Sequence, residues 1–378
     1  MRKLIIATVT IFIIIAVGLS CLMVAAIYGG GSYFDFKISN LKLVNTQNIS
    51  LDGIDALNVN YTSDDVVLYT GDTGELIIKE YMSFTPVKDE LTKITKSGGT
   101  IRVEGGRDRI ARWFFTFGYS SRVEIYLPSG YRGELSVSTS SGDIDSDIVL
   151  SLSNCEVSCS SGDIKLREIY ADNIKVSTSS GDISIGKAEG ISRITASSGD
   201  IKLLGGAGDT RIATSSGDIT VAGFMGFLNA EASSGDISVT SSAGEKEIKT
   251  TSGQIDLQDS SGYVHIKASS GDVRITKFQG FGSFETTSGS IKIEYAEAYS
   301  IEEDITVKAS SGDVTLILPE KAQFNFEAKT SSGDIRTHIV DRLSFSKDDK
   351  HAYGSNGSDP LFDLDIKTTS GDIRINEH

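Results

Sequence analysis

The chain is poor in the residues that most compact chemistries need. Among 378 residues there are 3 cysteines, 4 histidines, 4 methionines, 1 tryptophan and 4 prolines. Three cysteines are too few for a small secreted module held together by disulfides. Four histidines and one tryptophan leave little stock for histidine-metal sites or aromatic cages, and no residue set points to a cofactor or a metal. Four prolines beside 39 glycines, with no glycine at every third position, exclude collagen. Positive charge is also short: 36 Lys and Arg face 51 Asp and Glu, a net charge of −15, which argues against nucleic acid as a partner. Apolar material is sufficient, at 39%, to exclude wholesale disorder.

Charge placement at the start of the chain is informative. Met1-Arg2-Lys3 precedes an uncharged run from Leu4 to Tyr28, and the next cation is Lys37. A helix over residues 4–28 exceeds the ~30 Å hydrocarbon core of a bilayer, so it is long enough to span with some tilt. The positive-inside rule then leaves residues 1–3 as a cytoplasmic tail and exports everything after residue 30. The expectation is a single-pass cell-membrane anchor, N-terminus cytoplasmic, followed by a linker over 29–47. Two other readings use the same residues: a cleaved signal peptide, or a lipid-modified Cys21 after Gly18-Leu19-Ser20. Against both, the apolar run continues past the cut through Leu22 to Ile27, and Gly18 stands where the usual lipobox has an aliphatic residue.

From residue 139 onward one phrase recurs, Thr-Ser-Ser-Gly-Asp-Ile. Its glycine falls at 142, 162, 181, 199, 217, 235, 253, 271, 289, 312, 333 and 371, with a strict spacing of 18 from 181 to 289. Ser precedes this glycine every time. Asp follows it in ten copies, Gln254 and Ser290 being the exceptions. On either side apolar residues alternate with polar ones, as in Ile183/Ile185, Ile201/Leu203, Ile194/Ala196 and Ile212/Thr214. Period two in both arms means two short strands per unit, each with one buried face. A half-period of nine is visible in Gly253, Gly262 and Gly271.

One such unit cannot close a core, whereas stacked units bury a continuous column. The fold class that follows is all-β: a parallel β-solenoid of about 18 residues per coil with two main sheets, preceded by the transmembrane helix. An antiparallel meander is the alternative arrangement of the same strands. In the solenoid reading glycine makes the tight corner by taking a positive φ, and the hydroxyls and carboxylate cap the corner's amides. The Thr or Ala three before each glycine is small because the corner narrows. Cys159 fills that slot, and Cys155 stands in step with Ile174, so both read as buried small apolar residues; four residues apart on one strand, ~13 Å, they are too far to bridge.

The solenoid is expected over 48–378, with irregular N-terminal coils at 48–133, regular repeats at 134–378 and a loop at 341–363. Leu127-Pro128 and Leu318-Pro319 each lie fourteen residues before a corner glycine, Gly142 and Gly333, which suggests one coil type used twice. The final strand, Asp372 to Ile375, has only three residues after it, and an open edge there invites pairing with a second copy, a homo-oligomer.

Ile125-Tyr126-Leu127-Pro128, the Leu57-Asn58-Val59 strand and the Ser-Gly-Asp-Ile repetition together resemble a bacterial domain family of unknown function known as "putative adhesin". The resemblance covers about residues 48 to 378. It implies a surface-exposed β-solenoid, in some members linked to envelope-stress and antimicrobial-peptide responses, and it carries no catalytic residues.

Three chemistries merit weighing. The Asp row, from Asp143 to Asp372, would place like charges near ~5 Å apart in stacked coils. Either corner amides occupy each carboxylate or cations lie between coils, but one Asp per coil supplies too few oxygens for the ~6–8 ligands of calcium. The stretch Arg107, Arg109, Arg112, Trp113, Phe114 is basic and aromatic within an acidic ectodomain. It reads as a cover over the solenoid's open end, or as a contact with lipid headgroups, envelope polymer or a membrane-protein partner. Catalysis needs a histidine in reach of a serine, and His265, His338, His351 and His378 fall in no recognisable motif; a polysaccharide-active enzyme is the weakest alternative, because fold alone does not license function. The reading that follows is a non-enzymatic, membrane-tethered extracytoplasmic surface protein for adhesion, scaffolding or ligand display. The alternative is an envelope-stress regulator acting through a membrane partner, which a three-residue tail could not do by itself.

Overall fold

Alternation of one apolar and one polar residue is realised as strand almost throughout. The computed structural model describes residues 41–106, 120–337, 342–346 and 348–378. Within one repeat, Ile201–Leu203 leads through a corner into Gly206–Thr214, and Ser215-Ser216-Gly217-Asp218 turns the chain into Ile219–Ala222. Successive windings then lie parallel and in register. In one sheet Ile183 pairs with Ile201, Ile201 with Ile219, Ile219 with Ile237, Ile237 with Ile255 and Ile255 with Val273. In the other, Ile194 pairs with Ile212, then Ala230, Ile248, Ile266 and Phe284. All of these side chains are buried. The parallel solenoid with an eighteen-residue winding is therefore the fold, and the meander is not.

The two columns face each other across one core. A single winding brings Ile201, Leu203 and Ile212, far too little apolar surface to offset the ordering of its residues at ~1–2 kcal/mol each. Stability comes from stacking. Cys155 pairs with Ile174, as expected from the spacing, and both Cys155 and Cys159 are buried free thiols.

The order of windings departs from the order of the sequence at both ends. Ala56–Asn60 pairs in parallel with both Thr100–Glu104 and Glu134–Thr139. Asp65–Gly71 likewise lies between Ser121–Pro128 and the start of Ile144–Cys159. The first winding of the chain is thus internal, and the second lies outside it. At the far end Phe362–Thr368 lies between Ile305–Ser311 and Phe324–Lys329, and Ile373–Glu377 between Val314–Leu318 and Ile335–Thr337. The last winding is internal too, so the final strand is no open edge, and the argument for pairing copies through it falls. Leu127-Pro128 and Leu318-Pro319 mark the two places where the chain steps over an inserted winding. Each proline carbonyl accepts a turn hydrogen bond, from the Tyr131 N–H at 3.0 Å and the Ala322 N–H at 3.2 Å.

Antiparallel strands close both ends. Lys93–Ser97 pairs with Thr100–Glu104, Glu75–Met82 with Ser121–Pro128, and Lys42–Ser50 with Glu75–Met82. Residues 42–47, expected within a linker, therefore belong to the sheet, and Glu75 to Ile78 caps the stack rather than extending it. Residues 341–363, expected as a loop, contain a hairpin instead: Arg342–Phe345 pairs with His351–Asn356, which runs antiparallel on Phe324–Lys329. Antiparallel pairing covers an edge that a further parallel winding would leave exposed.

The transmembrane segment expected at 4–28, the tail at 1–3 and Cys21 lie outside the described residues. Among the described residues no helix is long and apolar enough to cross a membrane.

Candidate functional surface

The Ser-Gly-Asp corner forms a bonded rail. Asp163 N–H donates to Asp143 Oδ1, Asp182 N–H to Asp163 Oδ1, and Asp200 N–H to Asp182 Oδ1, each at 2.9 Å. The pattern continues to Asp218 and Asp236. Each carboxylate thus caps the amide of the next winding, which is the corner-capping use expected of it. Where Gln254 and Ser290 replace Asp, their own amides are still capped, by Asp236 at 2.7 Å and Asp272 at 2.8 Å.

The corner glycines serve a purpose other than the one the sequence suggested. None of the twelve has a positive φ. Their missing side chain is what matters: a Cβ on Gly199 would lie 1.8 Å from the Gly181 carbonyl oxygen, and one on Gly235 would lie 1.7 Å from that of Gly217. The windings approach too closely here for any other residue. Beside this contact the threonine three places earlier bridges two windings. Thr214 Oγ1 donates to the Gly199 carbonyl at 3.1 Å and accepts from the Gly217 N–H at 3.2 Å. Cys159 Sγ takes the same two partners, the Gly142 carbonyl and the Gly162 N–H, so it is a thiol in a hydroxyl's place rather than a purely apolar filler.

The half-period of nine marks a second corner, and there positive φ is used. Gly190, Gly208, Gly226, Gly244 and Gly262 stack with φ between 98° and 136°. Just before it Ser241, Asp259 and Lys277 also hold left-handed φ, at 51°, 48° and 52°. The Lys246 side chain is buried inside this corner, in a column between Leu228 and Val264. Its ammonium donates to the Gly244 carbonyl at 2.9 Å and the Ser261 carbonyl at 2.8 Å. Burial pulls its pKa down to about 8.

What remains free is the outward face. One row beside the second corner runs Lys175, Arg193, Arg211, Asn229, Glu247, His265 and Ser283. A groove of about 290 Å³ lies on it between Arg193, Arg211, Phe227, Asn229 and Glu247. Two further cavities sit at the step-over connections, about 830 Å³ beside Tyr131 and about 310 Å³ beside Pro319.

The histidines are dispersed. His265 is half-buried in the outward row, His351 lies 3.0 Å from Glu327, and His378 lies 2.7 Å from the Tyr295 carbonyl. Among the described residues no group of His, Cys, Asp and Glu is arranged to hold a metal ion. Arg107, Arg109, Arg112, Trp113 and Phe114, and with them His338, lie outside the described residues. Sequence reasoning missed the Arg193–Phe227 groove, whose signal was a second row kept in step with the corner phrase.

The family described as Toastrack DUF4097 matches the chain twice, over residues 54–243 and 225–376. No curated protein matches it. Among solved structures, a putative cell adhesion protein from Clostridium sporogenes is similar at 9% identity and a TM-score of 0.19, over 89% of this chain and 100% of the other. A putative adhesin from Parabacteroides distasonis is similar at 8% identity and 0.24, over 88% and 97%. A putative lipid binding protein from Parabacteroides distasonis stands at 12% and 0.21, over 87% and 96%. Likenesses this distant carry no functional inference.

Proposed function

The chain belongs to the Toastrack DUF4097 family, and on that premise we propose that it is a non-enzymatic, membrane-tethered surface protein of a bacterial envelope. In this reading the solenoid displays regular rows of side chains to a ligand, as an adhesion or scaffolding surface. The observation that carries the proposal is the fate of the repeated residues. The Asp, Gly and Thr rows are occupied in holding one winding to the next, so the repetition serves the frame and the variable outward rows are left to recognise something. The hydrophobic run at 4–28 supplies the tether, with the solenoid on the outer side.

Fractionation and protease treatment of intact cells test this reading. The chain is expected in the membrane fraction, with its solenoid cleaved or labelled from outside and no soluble pool. A soluble cytoplasmic chain would contradict it. Purification in detergent adds a second discrimination: a stoichiometric membrane-protein partner would favour the regulator over the adhesin.

A further inference from the structure

The outward row at the tip of the second corner alternates in chemistry from winding to winding between Ile191 and Tyr263, after which Phe281 packs on Tyr263 with ring centroids 5.6 Å apart. In order it reads Ile191, Asp209, Phe227, Glu245, Tyr263 and Phe281, aligned by the stacked glycines on one side and the paired strands on the other. The apolar members Ile191, Phe227 and Tyr263 are two windings apart, roughly 9–10 Å at the usual strand spacing. Ile191 is 61% exposed and Tyr263 38%. The same two-winding rhythm runs inside the wall, where Thr178, Ala196, Thr214, Ala232, Thr250 and Ala268 alternate at the corner. Next to the apolar row, Arg193 and Arg211 are stacked on neighbouring windings. Both are exposed, and neither guanidinium has an ion-pair or hydrogen-bond partner among the described residues. Two adjacent unpaired cations are unfavourable, and they stand out in a chain of net charge −15.

We infer that this edge binds an extended anionic polysaccharide bearing carboxylates. The inference deepens the display reading above and rests on it. Apolar groups at a repeat of about two windings, two of them the flat rings of Phe227 and Tyr263, suit a polymer that offers the apolar face of a sugar ring at a regular interval. Arg193 and Arg211 present planar forks matched to carboxylates. Small side chains, Thr195 and Ala213, form the floor of the groove between them and Phe227. Glu231 and Glu247 stand at its other end, with the Asn229 amide donating to Glu247 at 3.0 Å. Sugar hydroxyls can donate to those carboxylates, whereas a ligand made only of ionised phosphates has no donor to offer them. The recognition assigned is therefore ring stacking on Phe227, an ionic fork on Arg193 and Arg211, and hydroxyl contacts with Asn229, Glu231 and Glu247.

Calorimetric titration of the full chain in detergent tests this, with oligomers of polygalacturonate as the probe and neutral cello-oligomers and polyphosphate as comparators. Polygalacturonate is expected to bind best. R193S/R211S and F227S are each expected to weaken it by about tenfold or more, with R193K/R211K intermediate because it keeps the charge and loses the fork. R274S, an exposed arginine on the opposite sheet, is expected to bind like the wild type. Circular dichroism checks that each variant is folded. Absence of polygalacturonate binding, equal binding by the groove variants, or polyphosphate binding that is as tight and indifferent to F227S would overturn the inference. If the solenoid is surface-exposed on cells and these titrations fail, the glycan site is wrong and the display reading stands; if the chain is cytoplasmic, the display reading itself fails.

Discussion

Asp200 donates its backbone N–H to Oδ1 of Asp182, 2.9 Å away on the preceding winding. A side chain here does what a backbone carbonyl does elsewhere in the sheet, so the acidic row is held together by hydrogen bonds although its charges are alike. The contact needs an acceptor and no charge. D182N should therefore retain nearly all of the stability, and D182A should lose about 1 kcal/mol. Urea unfolding of the two variants separates them, and equal losses would show that the amide is not capped in solution.

The same occupancy bears on cations. With Oδ1 of each Asp engaged by an amide, each winding offers one remaining carboxylate oxygen, Oδ2, against the ~6–8 oxygens of a calcium shell. Thermal unfolding in millimolar calcium and in chelator should give the same midpoint. A large rise with calcium, reversed by chelator, would show binding to the folded state.

Gly235 tests the close approach. G235A places a methyl group 1.7 Å from the Gly217 carbonyl oxygen, a backbone atom that cannot swing aside. It should cost about 3 kcal/mol or more. G74A, where nothing lies within 4 Å of the added atom, is the control and should be nearly neutral. Similar effects at the two positions would mean that the windings are less tightly stacked than described.

Lys246 gives a pH dependence. Burial lowers its folded pKa to about 8, below the unfolded value. Between those two values the unfolded chain binds more protons, so stability rises with pH there. Relative to K246M, the wild type should gain up to about 3 kcal/mol between pH 8 and pH 10.5. Denaturant titrations at several pH values measure the difference. A flat difference would place the ammonium in water.

Much of the regular region was legible because one short phrase repeats at a fixed interval and period-two alternation flanks it. Ile201 and Ile219 stack as their spacing requires. The ends were not legible, since every strand carries the same alternation and any can pair with any other. Nothing in Ala56–Asn60 or Phe362–Thr368 shows that these windings are inserted between two others. The repeated Leu-Pro pair was visible, but its meaning as a step-over appears only in three dimensions. The corner glycines were legible as corners and misread in cause, because glycine answers both a left-handed φ and a close contact. The groove at Arg193 and Arg211 was hidden among outward polar residues that spacing alone does not distinguish.

The central claim is that between Gly181 and Gly289 each eighteen residues advance the chain by one strand spacing in a single direction. Spin labels at Ser184 and at Lys202, Asp256 or Lys292, all on one outward row, measure this directly by pulsed electron resonance. The expected separations grow in equal steps of about 4.8 Å per repeat, with the Ser184–Lys292 pair, six windings apart, near ~29 Å. Separations that fail to grow with the number of intervening repeats would contradict the stacked parallel solenoid.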